Sequence, residues 1–346
     1  MVLESRCPRR RTVPCALLQW QAAGERRRRG DPEETLTTVG ARAETMAVSR
    51  LETRRRPRRA ALGLLACFLG PTLVFLLAFT YWPLVVSVAG SFQRWTPKGA
   101  QGWIGLQNYR ELCRDALFRQ VLGNTAVYVA IEVPLAVVLG LGAALAVDGH
   151  GRRRLLARAL IFHPVLLPTV AIAAIWLFLL NPVSGPVADV ASRLLGQAPS
   201  FLGEPRRALA TIALVAVYKN CGLYMLFFLA GLQAISKDLQ DSARVEGATE
   251  WRVFRHVTWP LLGPVSLYVA TTALLDALRN IDHIFVLTHG GPANGTNVLL
   301  YETYLKAFEF WDTGRASALT VMLVVALLGL AVVAMPRLER GIHYAA

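Results

Sequence analysis

Asp241-Ser242-Ala243-Arg244-Val245-Glu246-Gly247, followed after nine residues by Val257-Thr258-Trp259-Pro260, is a polar insertion between two long apolar segments. Its residue order predicts a short helix from Lys237 to Glu246 that stops at Gly247, because glycine enters the left-handed conformation that ends a helix at little steric cost. Pro260 is then placed to restart a helix, since a proline in the first turn gives up no hydrogen bond that it would otherwise make. The expected product is a rigid lever outside the apolar segments on either side.

Those segments set the fold class. With 346 residues, 54% hydrophobic, 17% charged and a mean hydropathy of +0.41, the chain is too apolar for an ordinary soluble domain. A bilayer core of roughly 30 Å needs about 20 mostly apolar helical residues. Six stretches meet that requirement, approximately Ala60–Ala89, Val121–Val147, Leu155–Leu180, Leu209–Leu232, Leu261–Leu287 and Ala316–Met335. Runs of this length satisfy their own backbone only as helices, and the strands of a membrane barrel would be far shorter and alternating. The reading is an all-α, multi-pass membrane protein.

The net charge of +14 would suggest nucleic acid in a soluble protein. Here the excess lies in the tail before Ala60 and in short loops, where topogenic arginines are the simpler reading. Arg54, Arg55, Arg56, Arg58 and Arg59 precede the first span, and Arg152, Arg153, Arg154 and Arg158 fill the second loop and the start of the third span. By the positive-inside rule both places are cytoplasmic, which puts both termini and the loop around Gly247 inside. The loops around Gln107, Gly196 and Gly291 then face outward, and no nucleic-acid partner is expected.

Residues 1–59 form an Arg-rich tail without an apolar helical face, for which disorder is expected. Met46 offers an alternative start with a shorter basic leader, and the tail does not read as a cleavable signal peptide because its charged stretch is too long. Residues 60–340 form one membrane domain containing the loop at 236–260, and 341–346 form a second, short cytoplasmic tail. Cys7, Cys15, Cys67, Cys113 and Cys221 show neither metal-ligand pairing nor a disulfide framework, and no metal site is expected.

Polar groups within the spans carry more information. Asp276, Arg279, Asn280 and His283 fall at i, i+3, i+4 and i+7, which places them on one face of the predicted fifth span. A single central Asp or Arg facing lipid costs about 2.5–3.5 kcal/mol on insertion scales, so this stripe faces other helices or a wet cavity. Lys219 and Asn220 sit near the middle of the fourth span, with Asp276 a candidate partner for Lys219 by depth. Lys219, Asn220, Asp276, Arg279 and Asn280 are therefore candidates for a translocation pathway, although an Asp276–Arg279 pair could equally clip two helices together. Glu132 and His163 are the other embedded ionisable groups. Pro71, Pro83, Pro134, Pro164 and Pro168 punctuate the spans, where ordinary packing variation and a gating hinge are both open readings.

Some chemistry is missing. The sequence has no G-x-x-x-x-G-K-[ST] phosphate loop, no His-Glu-x-x-His and no nucleophile elbow, so no catalytic residue is assigned. Gly290-Gly291-Pro292 with Gly295 reads as a turn cluster.

The polar insertion resembles the E-A-A-x-x-x-G-x9-I-x-L-P loop of bacterial ATP-binding-cassette importer permeases of the carbohydrate and glycerol-3-phosphate type. Asp241 stands for Glu, Ser242 for the first Ala, Val257 for Ile and Trp259 for Leu, while Ala243, Gly247 and Pro260 hold their places. Leu180-Asn181-Pro182, Leu229-Ala230-Gly231-Leu232-Gln233, Leu287-Thr288-His289-Gly290-Gly291-Pro292-Ala293, Tyr301 and Tyr304-Leu305-Lys306-Ala307-Phe308 also resemble those permeases. The likeness extends over roughly Ala60 to Arg340.

It implies a six-transmembrane-helix type I importer permease fold in the bacterial inner membrane. It also implies a second related permease, an ATPase dimer that binds ATP and Mg in place of any cofactor in this chain, and an extracytoplasmic solute-binding protein. Asp241, Ser242, Ala243, Glu246, Gly247, Ala248 and Pro260 would form the ATPase-coupling loop, with Asp241 and Glu246 pairing with basic groups of the ATPase. The solute would be a sugar, polyol or glycerophosphate. The embedded charges also motivate an ion-coupled secondary transporter, and the loop a membrane scaffold that recruits partners.

Overall fold

The computed structural model describes residues 58–96, 99–196 and 200–339. The expectations for the tail before Arg58, for Met46 and for 341–346 lie outside these residues. The chain divides between Thr80 and Tyr81 into two units.

In the first unit, helix α1 covers Arg58–Leu76 with Pro71 inside it, and it widens into a π-helical turn at Leu77–Tyr81. In the second, α2 (Trp82–Ser91) carries Pro83 in its first turn. A second wide turn, at Phe254–Thr258, likewise runs into a Trp-Pro pair, Trp259-Pro260. Proline offers no N–H to the carbonyl four residues back and its ring crowds that carbonyl, so a turn with one extra residue relieves both problems.

Beyond α2 the chain forms an antiparallel hairpin of β1 (Gln93–Thr96) and β2 (Gly99–Trp103), with a bulge between Arg94 and Trp95. This corrects the purely helical expectation. Trp95 and Thr96 favour extended backbone, and Phe92 stacks on Trp103 at 5.5 Å between ring centroids. Helix α3 (Gln107–Arg114) leads to α4 (Ala116–Val147), whose start is capped by the Asp115 carboxylate accepting from the Leu117 N–H at 2.9 Å.

The predicted third span is not one helix. It consists of α5 (Arg152–Leu166) and α6 (Thr169–Leu179), set at 101°. Pro168 supplies the reason, because a residue before proline is pushed out of the helical region, and Leu167 is extended at φ −85°, ψ 144°.

Short α7 (Pro186–Leu195) precedes α8 (Pro205–Ala234), the most deeply buried of the long helices. Lipid tails are as apolar as leucine, so helices in a membrane hold together by close approach over small residues. Gly222 of α8 lies so near the Ile161 carbonyl of α5 that a side chain would overlap it. A Cβ at Gly140 of α4 would come within 2.8 Å of Tyr224 Cβ. Ala136, Ala144, Ala213 and Ala216 are fully buried beside them.

Helix α9 (Lys237–Val245) is followed by α10 (Glu250–Val253), the second wide turn and α11 (Trp259–Leu261), and a 67° bend then leads into α12 (Gly263–Arg279). Helical backbone therefore resumes already at Glu250, ahead of Pro260, which takes its expected place in the first turn of α11. Nor does the fifth span continue unbroken to Leu287. Asn280 leaves the helical region at φ −92°, ψ 108°, and α13 (Asp282–Leu287) begins afresh. Asn280 and Asp282 are short polar residues that compete for backbone hydrogen bonds, which weakens a helix at that point. Helix α14 (Leu299–Tyr304), a third wide turn at Leu305–Glu309 and α15 (Thr313–Glu339) complete the described chain. Among the described residues four helices are long and apolar enough to cross a membrane, or up to six if each bent pair counts as one span.

Candidate functional site

Helix α9 stands free of the core, with none of its nine residues buried. Its end is closed by two backbone hydrogen bonds, Gly247 N–H to Arg244 O and Ala248 N–H to Ala243 O, both at 3.0 Å. That pairing is the Schellman arrangement, which needs a left-handed residue at its centre. Gly247 provides it at φ +85°, with open space where a side chain would begin. The stop at Gly247 thus has a structural cause, and it leaves bare surface on the glycine.

Arg244 fixes the angle of this helix. Its Nη1 donates to Asp241 Oδ1 and its Nε to Glu250 Oε1, each at 2.8 Å, so the guanidinium ties α9 to α10 across the turn. Donating to Glu250, then to Asp241, holds the Arg244 pKa further above its already high ordinary value. Asp241 is thus engaged by Arg244 within the chain. Glu246 remains exposed, with no ion pair among the described residues. The Asp241–Arg244 spacing of three residues was visible in the sequence, but Glu250 comes from the next helix and the three-way tie was missed. Ser242 is exposed, Ala243, Ala248 and Pro260 are half-buried, and Leu239, Val245 and Trp251 present large apolar side chains to the outside.

Within the bundle, the sequence candidates separate. Asn220 of α8 donates to Glu132 of α4 at 3.5 Å, and both side chains are buried. One turn further along α8, the Tyr224 hydroxyl donates to Asp276 of α12 at 3.0 Å. A ladder of two polar contacts thus links α4, α8 and α12. The partner of Asp276 is Tyr224 and not Lys219, a correction that follows from helix geometry. Asn220 and Tyr224 are four residues apart and share a face, whereas Lys219 precedes Asn220 by one residue and points about 100° away. Tyr128, one turn before Glu132, is also fully buried.

Because α12 ends at Arg279, the four-residue stripe is not one helical face. His283 lies fully buried on α13, and Asn280 sits in the break. Arg279 instead opens onto a cleft of about 420 Å³ shared with Ser87, Thr303, Tyr304, Phe308 and Ser317. Hydroxyls, aromatic faces and one guanidinium make this cleft able to hold a hydroxylated or anionic solute. His163, the other embedded candidate, is exposed on α5.

The segment between α13 and α14 is built differently from the free helix α9. His289, Ala293 and Asn294 have φ of 50°, 50° and 56°. Gln120 and Asn124 of α4 donate to the carbonyls of Ala293, Asn294 and Asn297 at 2.8–3.0 Å, and the Leu299 N–H donates to Thr125 Oγ1 at 2.9 Å. Gly295 packs directly on Pro205 at the start of α8, leaving no room for a side chain. Buried Asn297 donates to buried Glu302 at 2.7 Å, and Lys306 lies 3.3 Å from the same carboxylate. The glycine-proline turn cluster is thus one corner of a loop held against α4 and α8.

Comparison with known proteins gives consistent likenesses. Residues 136–340 match the family described as binding-protein-dependent transport system inner membrane component. A probable ABC transporter permease protein, y4oQ of Sinorhizobium fredii, is 31% identical over 290 residues, covering 83% of this chain and 94% of the relative. The sn-glycerol-3-phosphate transport system permease protein UgpA of Rhizobium meliloti is 29% identical over 280 residues, covering 79% and 94%. In fold, the chain matches a bacterial ABC transporter involved in the import of the acidic polysaccharide alginate. The TM-score is 0.71 at 22% identity, over 84% of this chain and 99% of that one. A second structure of an alginate ABC transporter, in complex with a periplasmic protein bound to an alginate pentasaccharide, matches with a TM-score of 0.69 at 20% identity, over 80% and 95%. Nothing in these likenesses favours an ion-coupled carrier.

Proposed function

The chain belongs to the binding-protein-dependent transport system inner membrane component family, and from that premise we propose that it is one permease subunit of an ATP-driven importer for a sugar or a related polyol or glycerophosphate. The observation that carries the proposal is the exposed helix α9, closed by left-handed Gly247 and braced by Arg244. A rigid helix with bare apolar side chains and no core of its own is suited to a partner's cleft. In this reading the loop at 236–260 enters an ATPase dimer, which binds the ATP and Mg. Ser242, Ala243, Gly247 and Ala248 allow close approach, Glu246 meets a basic group of the ATPase, Asp241 keeps Arg244 in place, and Pro260 sets the return path.

Closure of the ATPases moves α9, and Arg244 transmits the motion through Glu250 to α10 and onward past the bend at Leu262 to α12. Six spans with both termini in the cytoplasm put the Arg-rich loop and α9 on the ATPase side, in keeping with the positive-inside rule. A second related permease completes the pathway, and a solute-binding protein delivers solute from the other side. Lys219, Asn220, Asp276, Arg279 and Asn280 are the pathway candidates, joined now by Glu132 and Tyr224. The names of the glycerol-3-phosphate permease and of the alginate transporters support a hydroxylated, anionic solute, and Arg279 in its hydroxyl-lined cleft suits one.

The test is uptake of labelled glycerol-3-phosphate and of oligosaccharides into proteoliposomes containing the assembled complex. The proposal expects transport that requires ATP and the binding protein and is indifferent to ionophores. Transport that collapses with a proton or sodium gradient and persists without an ATPase would instead identify an ion-coupled carrier.

A further inference from the structure

A cavity of about 620 Å³ lies between the α4–α5 loop and the start of α9, and its lining includes Asp148, His150, Arg154, Arg158, Lys237 and Gln240. Three permanent cations thus face a single carboxylate. Arg158 is held in position by donating to the Val147 and Gly149 carbonyls at 2.8–3.2 Å. Arg154 lies across Gly149, whose φ of +104° and missing side chain leave space for the guanidinium. No ion pair engages Arg154, Arg158 or Lys237 among the described residues. Like charges gathered around an enclosed space raise its positive potential, and an anion that enters relieves it.

We infer that this cavity binds a phosphate group, with the Arg154 guanidinium and the Lys237 ammonium as its principal donors. Guanidinium and phosphate match in a two-bond geometry, and a lysine adds a compact point charge. The surroundings favour a phospholipid headgroup over a free phosphate. Leu155, Leu156 and Leu160 continue from the basic end of α5 and are 64%, 64% and 74% exposed, an apolar surface on which acyl chains can lie. Basic pockets of this type at a membrane boundary are suited to anionic headgroups. The bound phosphate would join the α4–α5 loop to the first turn of α9, so that the lipid steadies the root of the lever.

The experiment uses the purified complex in nanodiscs containing phosphatidylglycerol and phosphatidylcholine, with retained lipid counted by native mass spectrometry. Inorganic phosphate is titrated separately into the detergent-solubilised complex by calorimetry. Arg154 is exposed on the first turn of α5 and makes no ion pair within the described chain, so Arg154→Gln should leave the melting midpoint unchanged. Phosphatidylglycerol retention should fall about tenfold in Arg154→Gln, the loss expected from one charge-assisted contact, and recover in Arg154→Lys. If inorganic phosphate shows that same pattern while lipid retention does not, the phosphate site stands but its source is aqueous. If wild type and Arg154→Gln are alike in both measurements, or wild type binds neither, the inference is overturned.

Discussion

Two loops sit at opposite ends of α8, a helix of 30 residues and about 45 Å, and they are built on opposite plans. At its start, the segment from His289 to Asn297 is locked down. Its carbonyls are claimed by Gln120 and Asn124, Gly295 is pressed on Pro205, and Asn297 and Glu302 pair in the interior. At its end, α9 buries nothing, and among the described residues its hydrogen bonds to the rest of the chain come from its own backbone cap and from Arg244. Both loops use left-handed residues. In one these let the chain fold back on its own protein, and in the other they clear a surface. The chain thus secures one end of α8 by its own contacts and leaves the helix at the other end exposed.

The sharpest break of this comparison is a side chain at the locked end. Gly295→Val collides with Pro205, and the overpacking should cost about 3 kcal/mol, read as a lower melting midpoint of the solubilised complex. A melting curve like that of wild type would show that the loop is not locked. Next in size, Asn297→Ala leaves the buried Glu302 carboxylate short of a donor and should cost about 2 kcal/mol, again read by melting. Gly247→Ala, at the free end, should cost only about 1 kcal/mol, because it strains a left-handed residue without meeting any neighbour. Hydrogen exchange should therefore rise in α9 alone and leave α4 and α8 as in wild type.

The smallest effect concerns pH. Arg315 donates to Glu111 between α15 and α3 at 2.5 Å. That bond, and then Gln107, holds the Glu111 carboxyl below its ordinary value of 4.5. A depressed carboxylate stabilises the folded state at pH values above its unfolded pKa, and this contribution is lost as pH falls through the folded pKa. The melting midpoint should be insensitive to this pair near neutrality and drop below about pH 4.5, and Glu111→Gln should flatten that acid limb. Both side chains are partly exposed, so the limb should be shallow.

Much of this fold could be read from the sequence, because the signals were local. Apolar length alone marked Val121–Val147 and Leu209–Leu232, which lie inside α4 and α8. Gly247 marked the end of α9, since a helix stop depends on the residue that must turn left-handed. The misses share a different cause. Pro168 and Pro134 look alike in sequence, yet Pro168 breaks a span at 101° while Pro134 stays inside α4. Whether a proline bends or breaks a helix depends on which neighbours take up the freed carbonyls. The Asn220–Glu132 and Tyr224–Asp276 contacts join residues 88 and 52 positions apart, and no spacing rule reaches that far. Sequence depth suggested Lys219 for Asp276, but the direction in which each side chain leaves α8 decides the pairing.

If α9 is held by another protein, as proposed above, co-purification from membranes of the tagged chain as wild type and as Gly247→Asp will show it most directly. The Asp side chain would project into open space, so only the left-handed backbone is strained, at about 1 kcal/mol, and insertion and the folded bundle should be retained. An ATP-binding-cassette ATPase should accompany the wild type and be lost from Gly247→Asp, together with coupled uptake. An ATPase retained by a folded Gly247→Asp variant with undiminished uptake would contradict the proposal.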